Sequence, residues 1–498
     1  MTKRVVTIIL TVTLLLALVL VAPNTVNAQQ NEYFPASWQA AERKILEAWD
    51  NYETEADISE CGVLLEDKDV FCERVSSRNP EYFYVTCYNV GYNSDSNVIV
   101  CVYFEYFYRE DEIPAMQARF EQKAQSVLNS IPSYLANKDK LLFLYDYLAV
   151  NNNYDFAVFT DYTENLKPEI RTAYGCLINN LSVCEGISQA FLYFCKKLNI
   201  EAYAVGSDEM NHEWNMVKLG NNYYHIDITY ASPGFEKNEK KEQFQPYGYV
   251  NHDYFLISDS QIKALYHYGW ENIFAATDSK TYTNAYWKNA FGQVGFVNGY
   301  AYFIKNAKLR NYNLSTNIST DLYSVPKCYF KSKDGYKRIW EPYNNGKGFH
   351  TNFAFDYDRN NLYFAMGNSA YSYNIDTKSI VSVYSLPKTG YILSLCYKSG
   401  KLYMTTNDIN SKIQTDTYYF GTKTLSASSL PSYTDTTVTL SGDVNSSGKI
   451  DISDVLALKK YLAKSKLKIS TANADVNKDD KIDLLDLARL KVIYINIE

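Results

Sequence analysis

Residues 184–227 contain three side chains of the types that thiol catalysis requires, namely Cys184, His212 and Asp227. A thiol is a weak nucleophile until it loses its proton, and a neighbouring imidazole or a helix N-terminus favours the thiolate. A carboxylate on the far imidazole nitrogen fixes the tautomer and stabilises the imidazolium. The three residues therefore indicate a nucleophile, a base and an orienting acid. The alternative is a buried structural cysteine beside an ordinary β-hairpin.

The local sequence predicts elements that bring these three side chains together. A helix should begin at Cys184, because apolar residues then follow at helical spacing on one face (Ile187, Ala190, Phe191, Phe194, Cys195 and Leu198). Strands are predicted over 201–205, 212–219 and 223–229, with Gly220-Asn221-Asn222 as the turn between the last two. If Leu219 pairs with Asn222, Asp227 lies diagonally across from His212 on the same sheet face.

Four motifs around these residues resemble the transglutaminase-like superfamily of papain-type thiol enzymes. They are Tyr174-Gly175, Val183-Cys184-Glu185-Gly186, His212-Glu213-Trp214-Asn215 and Tyr224-His225-Ile226-Asp227-Ile228-Thr229. The resemblance implies that Cys184 is the nucleophile, His212 its base and Asp227 the residue that orients His212, with no cofactor for catalysis. Tyr174 is a speculative donor on the oxyanion side, with simple packing as its alternative. Gly186-Ile187 and Tyr230 depart mildly from the family pattern. Water as acyl acceptor would make a peptidase or amidase, and a lysine amine would make a cross-linker.

Two acidic twelve-residue segments begin at Asp443 and Asp475. Both place oxygen donors at positions 1, 3, 5, 9 and 12 and a backbone carbonyl at position 7, the pattern that Ca²⁺ requires. The predicted ligands of two calcium ions are Asp443, Asn445, Ser447, Lys449, Asp451 and Asp454 in the first loop and Asp475, Asn477, Asp479, Lys481, Asp483 and Asp486 in the second. Ser447 stands where the second loop has Asp479, so we expect the first loop to bind calcium more weakly.

One helix follows each loop and none precedes it, which resembles a type I dockerin more than a full EF-hand. The resemblance covers about 442–493 and implies calcium-dependent docking to a cohesin module of a scaffoldin, as in cellulosomes. The family's partner-selecting positions are Ile452-Ser453 and Leu484-Leu485 here.

The chain as a whole predicts an α+β protein of several parts. We expect a signal peptide at 1–28, an N-terminal α/β flanking region at 29–110 and a papain/transglutaminase-like domain at 111–275. An all-β region follows at 290–425, whose weak repeats around Tyr302-Phe303 and Tyr363-Phe364 suggest propeller-blade-like units or a small sandwich. A Ser/Thr-rich linker at 426–439 and a small α dockerin at 440–498 complete the chain.

Composition limits the classes of partner and the compartment. A net charge of −7 argues against nucleic acid and anionic membrane as partners. A basic start followed by an apolar run to Ala22 and a small-residue end at Ala28 predict export, so the protein should be extracellular. Nine cysteines are an odd count and too few for a disulfide scaffold, so we expect few disulfides or none. The other histidines (His225, His252, His267 and His350) show no metal-ligand spacing, which disfavours zinc.

Three functions stay open at this point. The first is a secreted, scaffold-docked thiol enzyme that acts on protein or peptide amides. The second is a catalytically idle domain of the same fold that binds protein or cell wall. The third is a polysaccharide-degrading accessory protein, as the dockerin suggests, although no residue context marks the paired carboxylates that glycoside cleavage needs.

Overall fold

The computed structural model describes most of the chain between Tyr33 and Ile495. The described residues are 33–159, 168–232, 235–236, 243–244, 248–270, 274–290, 292–305, 308–324, 329–331, 337–339, 355–358, 361–366, 369–386, 390–398, 400–408, 420–425, 442–445, 447, 450–464, 467–477 and 481–495. The predicted signal peptide, the predicted linker, Lys449 and Asp479 lie outside these residues. Contacts divide the chain into two units, 1–427 and 428–498. Within the part described, no helix is long and apolar enough to span a bilayer.

The first unit opens with helices packed on a small antiparallel sheet. Helix α1 (Ala36–Asp50) buries Trp38, Ile45 and Trp49 along one face. The further elements are strand β1 (Glu55–Asp57), helix α2 (Lys68–Arg78) and strands β2 (Val85–Asn93) and β3 (Val98–Tyr106), in sheet order β1-β3-β2. Strands β2 and β3 form an antiparallel hairpin. The short strand β1 was not predicted, because three residues at a sheet edge carry no readable alternation.

Two helices then lead towards the candidate site. Helix α3 (Ile113–Ser130) ends two residues before Pro132. A proline disfavours helical geometry in the residue before it, and Ile131 is indeed extended. Helix α4 (Asn137–Asn151) has its apolar side chains buried almost all round, as expected for a helix inside the core.

The centre of the unit places one helix against one four-stranded sheet. After a short parallel pair, β4 (Asn153–Tyr154) and β5 (Leu181–Ser182), helix α5 (Cys184–Lys197) packs on β6 (Ala202–Ser207) and β7 (His212–Leu219). Strands β8 (Asn222–Ile226) and β11 (Phe255–Ile257) complete the antiparallel order β11-β8-β7-β6. Leu219 pairs with Asn222, which confirms the predicted register of the hairpin. Helix α6 (Asp259–Ala264) follows, and β9 (Phe235–Glu236) and β10 (Gln243–Phe244) form a separate pair.

The rest of the first unit is built of antiparallel meanders. One four-stranded sheet contains β12 (Gly295–Val297), β13 (Tyr300–Lys305), β14 (Lys308–Asn313) and β15 (Ile318–Ser324), and a second contains β18 (Phe355–Asp358), β19 (Asn361–Met366), β20 (Ser369–Asn374) and β21 (Ile380–Ser385). A pair, β16 (Tyr329–Lys331) with β17 (Lys337–Ile339), and a three-stranded sheet, β22 (Gly390–Lys398), β23 (Lys401–Asp408) and β24 (Phe420–Leu425), accompany them. The two sequence repeats occupy equivalent strands, β13 and β19, and share one apolar cluster. These described strands form separate sheets and do not close a propeller.

The second unit is small and helical. Helices α7 (Ile452–Leu462), α8 (Thr471–Ala474) and α9 (Leu484–Ile495) enclose a core of their own, with Val444, Leu458, Ala474 and Leu490 at its centre. The first unit combines helices with antiparallel sheets, and the described elements of the second unit are helices, as expected for an α+β chain with a helical C-terminal module.

Candidate thiol site and calcium loops

Cys184 is the first residue of helix α5 and is half-buried. The helix start docks tightly on the preceding segment at Gly186, where an added Cβ would lie 2.6 Å from the Ile170 carbonyl oxygen and 2.8 Å from the Ser182 Cβ. A side chain at this position would therefore push the helix end away. The close approach explains the glycine two residues after Cys184, and it leaves the thiol at the positive end of the helix dipole.

His212 and Asp227 come from the two sides of the β7–β8 hairpin. His212 begins β7, and Asp227 follows the last residue of β8. The His212 Nε2 lies 2.8 Å from the Asp227 Oδ2, with the His212 side chain 7% exposed and the Asp227 side chain fully buried. Because Nε2 faces the carboxylate, the other ring nitrogen is left to serve the thiol.

Burial alone would lower the pKa of His212, but the Asp227 carboxylate and the Cys184 sulfur outweigh it and raise that pKa to about 10. Burial would likewise raise the pKa of Cys184. Its hydrogen bond and charge interaction with His212, aided by the backbone N–H groups of Glu213 and Glu185, bring that pKa below the ordinary value. The pKa of Asp227 is lowered by His212 and His267 against the effect of its burial. All three directions favour a thiolate beside an imidazolium.

Two side chains that sequence analysis did not select belong to this group. The Tyr154 hydroxyl is hydrogen-bonded with the Cys184 sulfur. His267 Nε2 lies 2.8 Å from Asp227 Oδ2, the same oxygen that His212 contacts. One side-chain nitrogen of His212, one of His267 and a carboxylate oxygen of Asp227 all lie within 4.8 Å of one another. The spacing of the histidines in the sequence did not predict this group. Neither residue has a sequence signal, because Tyr154 lies in a two-residue strand and His267 in an irregular segment after α6.

A cleft of about 510 Å³ lies near the start of helix α5. The neighbours in sequence of Cys184 and His212, Glu185 and Glu213, both line it, together with Gln189 and Arg171. Arg171 Nη1 lies 3.0 Å from Glu185 Oε2. Burial and the charge of Glu185 raise the pKa of Glu213 well above its ordinary value. The cleft thus offers carboxyl and amide groups to a ligand.

Tyr174 and two further histidines lie elsewhere in the core. The Tyr174 ring packs 4.6 Å from the Phe83 ring and is 4% exposed, and its role on the oxyanion side stays a prediction. His225 Nε2 lies 2.8 Å from Asp259 Oδ1, and His252 Nε2 lies 2.8 Å from Asp146 Oδ1. These two pairs are buried and separate from the thiol.

The cysteines of the described residues are unbridged. They are Cys61, Cys72, Cys87, Cys101, Cys176, Cys184, Cys195 and Cys396. Burial raises the pKa of Cys61, Cys101, Cys176 and Cys195, whereas the pKa of Cys184 is lowered. Cys184, the predicted nucleophile, therefore differs from these four cysteines in the direction of its pKa shift.

The two acidic loops of the second unit are closed by their last carboxylates. The Asp454 carboxylate is fully buried and accepts the N–H groups of Asn445 (3.0 Å) and Asp451 (2.9 Å). Asp486 accepts those of Val476 (2.8 Å), Asn477 (3.1 Å) and Asp483 (2.9 Å). Two buried carboxylates that accept only neutral backbone donors in these contacts fit a divalent cation, as does the set of hard oxygen donors around them. The predicted partner-selecting residues are all on the surface, with Ile452, Leu484 and Leu485 exposed by 49%, 72% and 64%.

A comparison with known proteins identifies a family for part of the second unit. The family model "Dockerin type I domain" matches residues 441–493. This part of the chain is therefore a type I dockerin, a calcium-binding module that docks to cohesin, and it marks the protein as an extracellular component of a cellulosome-type assembly. That result confirms the predicted dockerin resemblance, with its calcium and its cohesin partner.

Two solved structures resemble parts of the chain weakly. No curated protein matches the chain. A crystal structure of a TGase is 13% identical with a TM-score of 0.21, over 29% of this chain and 44% of that one. A conserved lipoprotein of Clostridium novyi NT is 15% identical with a TM-score of 0.18, over 26% of this chain and 81% of that one. The match spans less than half of the TGase chain, and likenesses this low carry no argument about activity.

Proposed function

We propose that this chain is a thiol acyl-transfer enzyme that a dockerin attaches to a cohesin-bearing scaffold. One observation supports the catalytic part most directly. The Cys184 sulfur interacts with the His212 imidazole, and His212 Nε2 lies 2.8 Å from Oδ2 of the buried Asp227 carboxylate. Cys184 is the first residue of a helix, and Glu185 and Glu213, the next residues after Cys184 and His212, line a cleft.

The chemistry follows from the protonation states. The Cys184 thiolate attacks the carbonyl carbon of an amide, and the electron pair of the carbonyl moves to its oxygen. His212, charged at neutral pH because its pKa is about 10, gives its proton to the departing amine as the C–N bond breaks. Neutral His212 then takes a proton from water or from a second amine as that nucleophile attacks the acyl thioester. The C–S bond breaks, the sulfur leaves as thiolate beside the restored imidazolium, and the product is an acid or a new amide. Asp227 holds the imidazole in place throughout and keeps its charge.

The substrate class is a protein or peptide amide. The cleft is lined by apolar and aromatic groups such as Phe83 and Phe107 beside the carboxyl groups, so it offers both a surface for side-chain packing and hydrogen-bond acceptors. Neither water nor an amine is favoured by these contacts. The proposal therefore includes both hydrolysis and cross-linking, and the experiment below separates them.

The dockerin supplies location rather than chemistry. We propose that the oxygen ligands of both loops hold one Ca²⁺ each and that Ile452, Ser453, Leu484 and Leu485 contact cohesin. These four residues are exposed at the starts of α7 and α9, and they occupy positions 10 and 11 of the loops, just before the last ligand, so ion binding would order the surface that docks. The scaffold would then concentrate the thiol site near proteins of the same assembly.

The first experiment compares thiol reactivity within one molecule. The folded protein is treated with limiting iodoacetamide at pH 7, and each cysteine peptide is quantified by mass spectrometry. Cys184 should be alkylated faster than the half-buried Cys61 and Cys101, whose pKa values burial raises. Equal labelling of the three would contradict the proposal. A second incubation, with a glutamine-containing peptide and a tagged amine, separates hydrolysis from cross-linking, with Cys184→Ala as the inactive control.

A further inference from the structure

His267 lies in the chain far from the residues of the proposed triad, yet it is placed against one of them. It follows helix α6, where its backbone N–H donates to the Ile262 carbonyl at 3.2 Å. The next residue, Tyr268, is fixed on both sides, since Ser207 Oγ donates to its carbonyl at 2.7 Å and its N–H approaches Met210 Sδ at 3.2 Å. This segment is therefore attached to the end of β6 and the turn before His212.

The His267 ring has no freedom to turn. Its side chain is fully buried, with the rings of Trp214 and Tyr230 both 5.1 Å away and that of Tyr254 at 5.7 Å. One nitrogen, Nδ1, lies 3.3 Å from the Leu265 carbonyl oxygen. The other, Nε2, lies 2.8 Å from Asp227 Oδ2 and must carry a proton there, because the carboxylate is only an acceptor.

The Asp227 carboxylate is consequently held in one orientation by the hydrogen bonds that it accepts. Oδ2 accepts from both imidazoles, and Oδ1 accepts the Tyr230 N–H at 3.2 Å. Without the second imidazole, Oδ2 would be held by His212 alone, so the plane of the carboxylate could tilt and the direction of the His212 ring would be less fixed. A buried carboxylate that loses one of its few donors also pays a desolvation cost.

We infer that His267 is a positioning residue that holds Asp227 for His212, so that the site is a group of four, Cys184–His212–Asp227–His267. His267 does not touch the sulfur in the contacts described, and it acts through the carboxylate. The inference rests on the proposed function for its catalytic consequence, whereas its effect on His212 can be measured without any turnover.

The test uses two substitutions of nearly conserved volume. His267→Phe keeps a ring in the aromatic pocket but removes the donor, and His267→Gln keeps an N–H donor that reaches the carboxylate. We expect His267→Phe to slow the alkylation of Cys184 at pH 7 by about threefold, less than the loss of the Asp227 charge would, because the charge remains and only one of its hydrogen bonds is lost. His267→Gln should recover most of that rate.

The second readout is the titration of His212, followed by NMR in protein labelled with ¹⁵N-histidine. In the wild type it should titrate at a pH far above the ordinary value, and in His267→Phe its midpoint should fall because Asp227 is no longer held on the ring. His252→Phe is the matched control, since His252 is equally buried and equally paired, with Asp146 at 2.8 Å. It should lower thermal stability and leave both readouts unchanged.

Two results would overturn the inference. One is a His267→Phe protein whose His212 titration matches that of the wild type. The other is a His252→Phe protein that changes Cys184 alkylation and His212 titration as much as His267→Phe does, because the effect would then be one of general packing. If Cys184 is unreactive in the wild type, the proposed enzyme activity fails, and the NMR titration still decides the role of His267.

Discussion

Replacing Asp227 by Asn is the substitution that should change the thiol site most clearly. The side chain keeps its size and loses its charge, and the Asp227 charge is the largest of the effects that raise the pKa of His212 to about 10. The rise of this pKa from 6.5 to about 10 means that the protein stabilises the imidazolium, relative to the neutral ring, by about 5 kcal/mol more than water does. With that stabilisation removed, burial favours a neutral imidazole, and the Cys184 thiol loses the positive charge beside it.

The expected size of the effect on reactivity follows from the ionised fraction of the thiol. A thiol with an ordinary pKa of about 8.5 is roughly 3% ionised at pH 7, so complete loss of the ion pair reduces the thiolate population by about 30-fold, and by more where burial raises the pKa of Cys184 further. A less acidic thiolate is a somewhat better nucleophile, which reduces the change in rate to about tenfold. The assay measures the rate of Cys184 alkylation between pH 5 and 10. In Asp227→Asn this rate should rise steeply with pH, as it does for an ordinary thiol.

The same substitution should change stability in a defined pH window. The raised pKa of His212 stabilises the fold fully below its unfolded value of about 6.5 and ceases to do so as the pH rises through about 10. The lowered pKa of Asp227 stabilises the fold above its unfolded value of about 3.9 and ceases to do so in acid. Urea unfolding should therefore show the largest difference between wild type and Asp227→Asn near pH 5, and a much smaller one above pH 10.

Asp259→Asn is the control for this experiment. Asp259 also lies 2.8 Å from a buried imidazole, that of His225, and the contacts described for this pair do not include Cys184. Trp214 Nε1 donates to the other nitrogen of that ring at 3.0 Å, so His225 is neutral. The reasoning is refuted if Asp227→Asn and Asp259→Asn give the same alkylation profile as the wild type.

Three further predictions concern the dockerin. Ser447→Asp adds a fourth carboxylate to the first loop and should tighten its calcium binding by about tenfold, measured by isothermal titration against the wild type; equal affinities would show that position 5 is not a ligand. Chelation with EGTA should unfold the second unit, seen as loss of the amide signals of α7 and α9, while the rate of Cys184 alkylation is unchanged; retention of those signals would contradict calcium-coupled folding. Leu484→Asp combined with Ile452→Asp should abolish binding to a cognate cohesin in a pull-down, whereas Leu467→Asp, a similarly exposed leucine of the same unit, should not.

The β7–β8 hairpin shows what the sequence predicts well. Alternating residues and a glycine turn specify both strands and their register, so the pairing of Leu219 with Asn222 and the meeting of His212 with Asp227 could be derived before any coordinates. The dockerin was equally readable, because calcium fixes ligand types at fixed positions. The role of the triad stays a prediction, as do the domain boundaries.

Other features of the site had no sequence signal. His267 and Tyr154 reach the site from short or irregular segments, where no periodicity says which way a side chain points. Tyr266, just before His267, even has a positive φ of 66°, a conformation that a tyrosine rarely adopts and that tertiary packing must impose. Long-range contacts of this kind depend on the finished fold, and one sequence does not encode them in a readable pattern.

The turn at Gly220 connects mechanical and chemical properties of this protein. Its φ of +62° favours glycine. An added Cβ would touch nothing within 4 Å, so the preference comes from the backbone conformation and not from a lack of space. A bulkier residue there would favour a different loop length, and a slip of one residue would turn alternate side chains of one strand to the opposite face. His212 and Asp227 would then point away from each other. An inactive protein could thus arise from a change at the far end of the hairpin, with every reactive group still present.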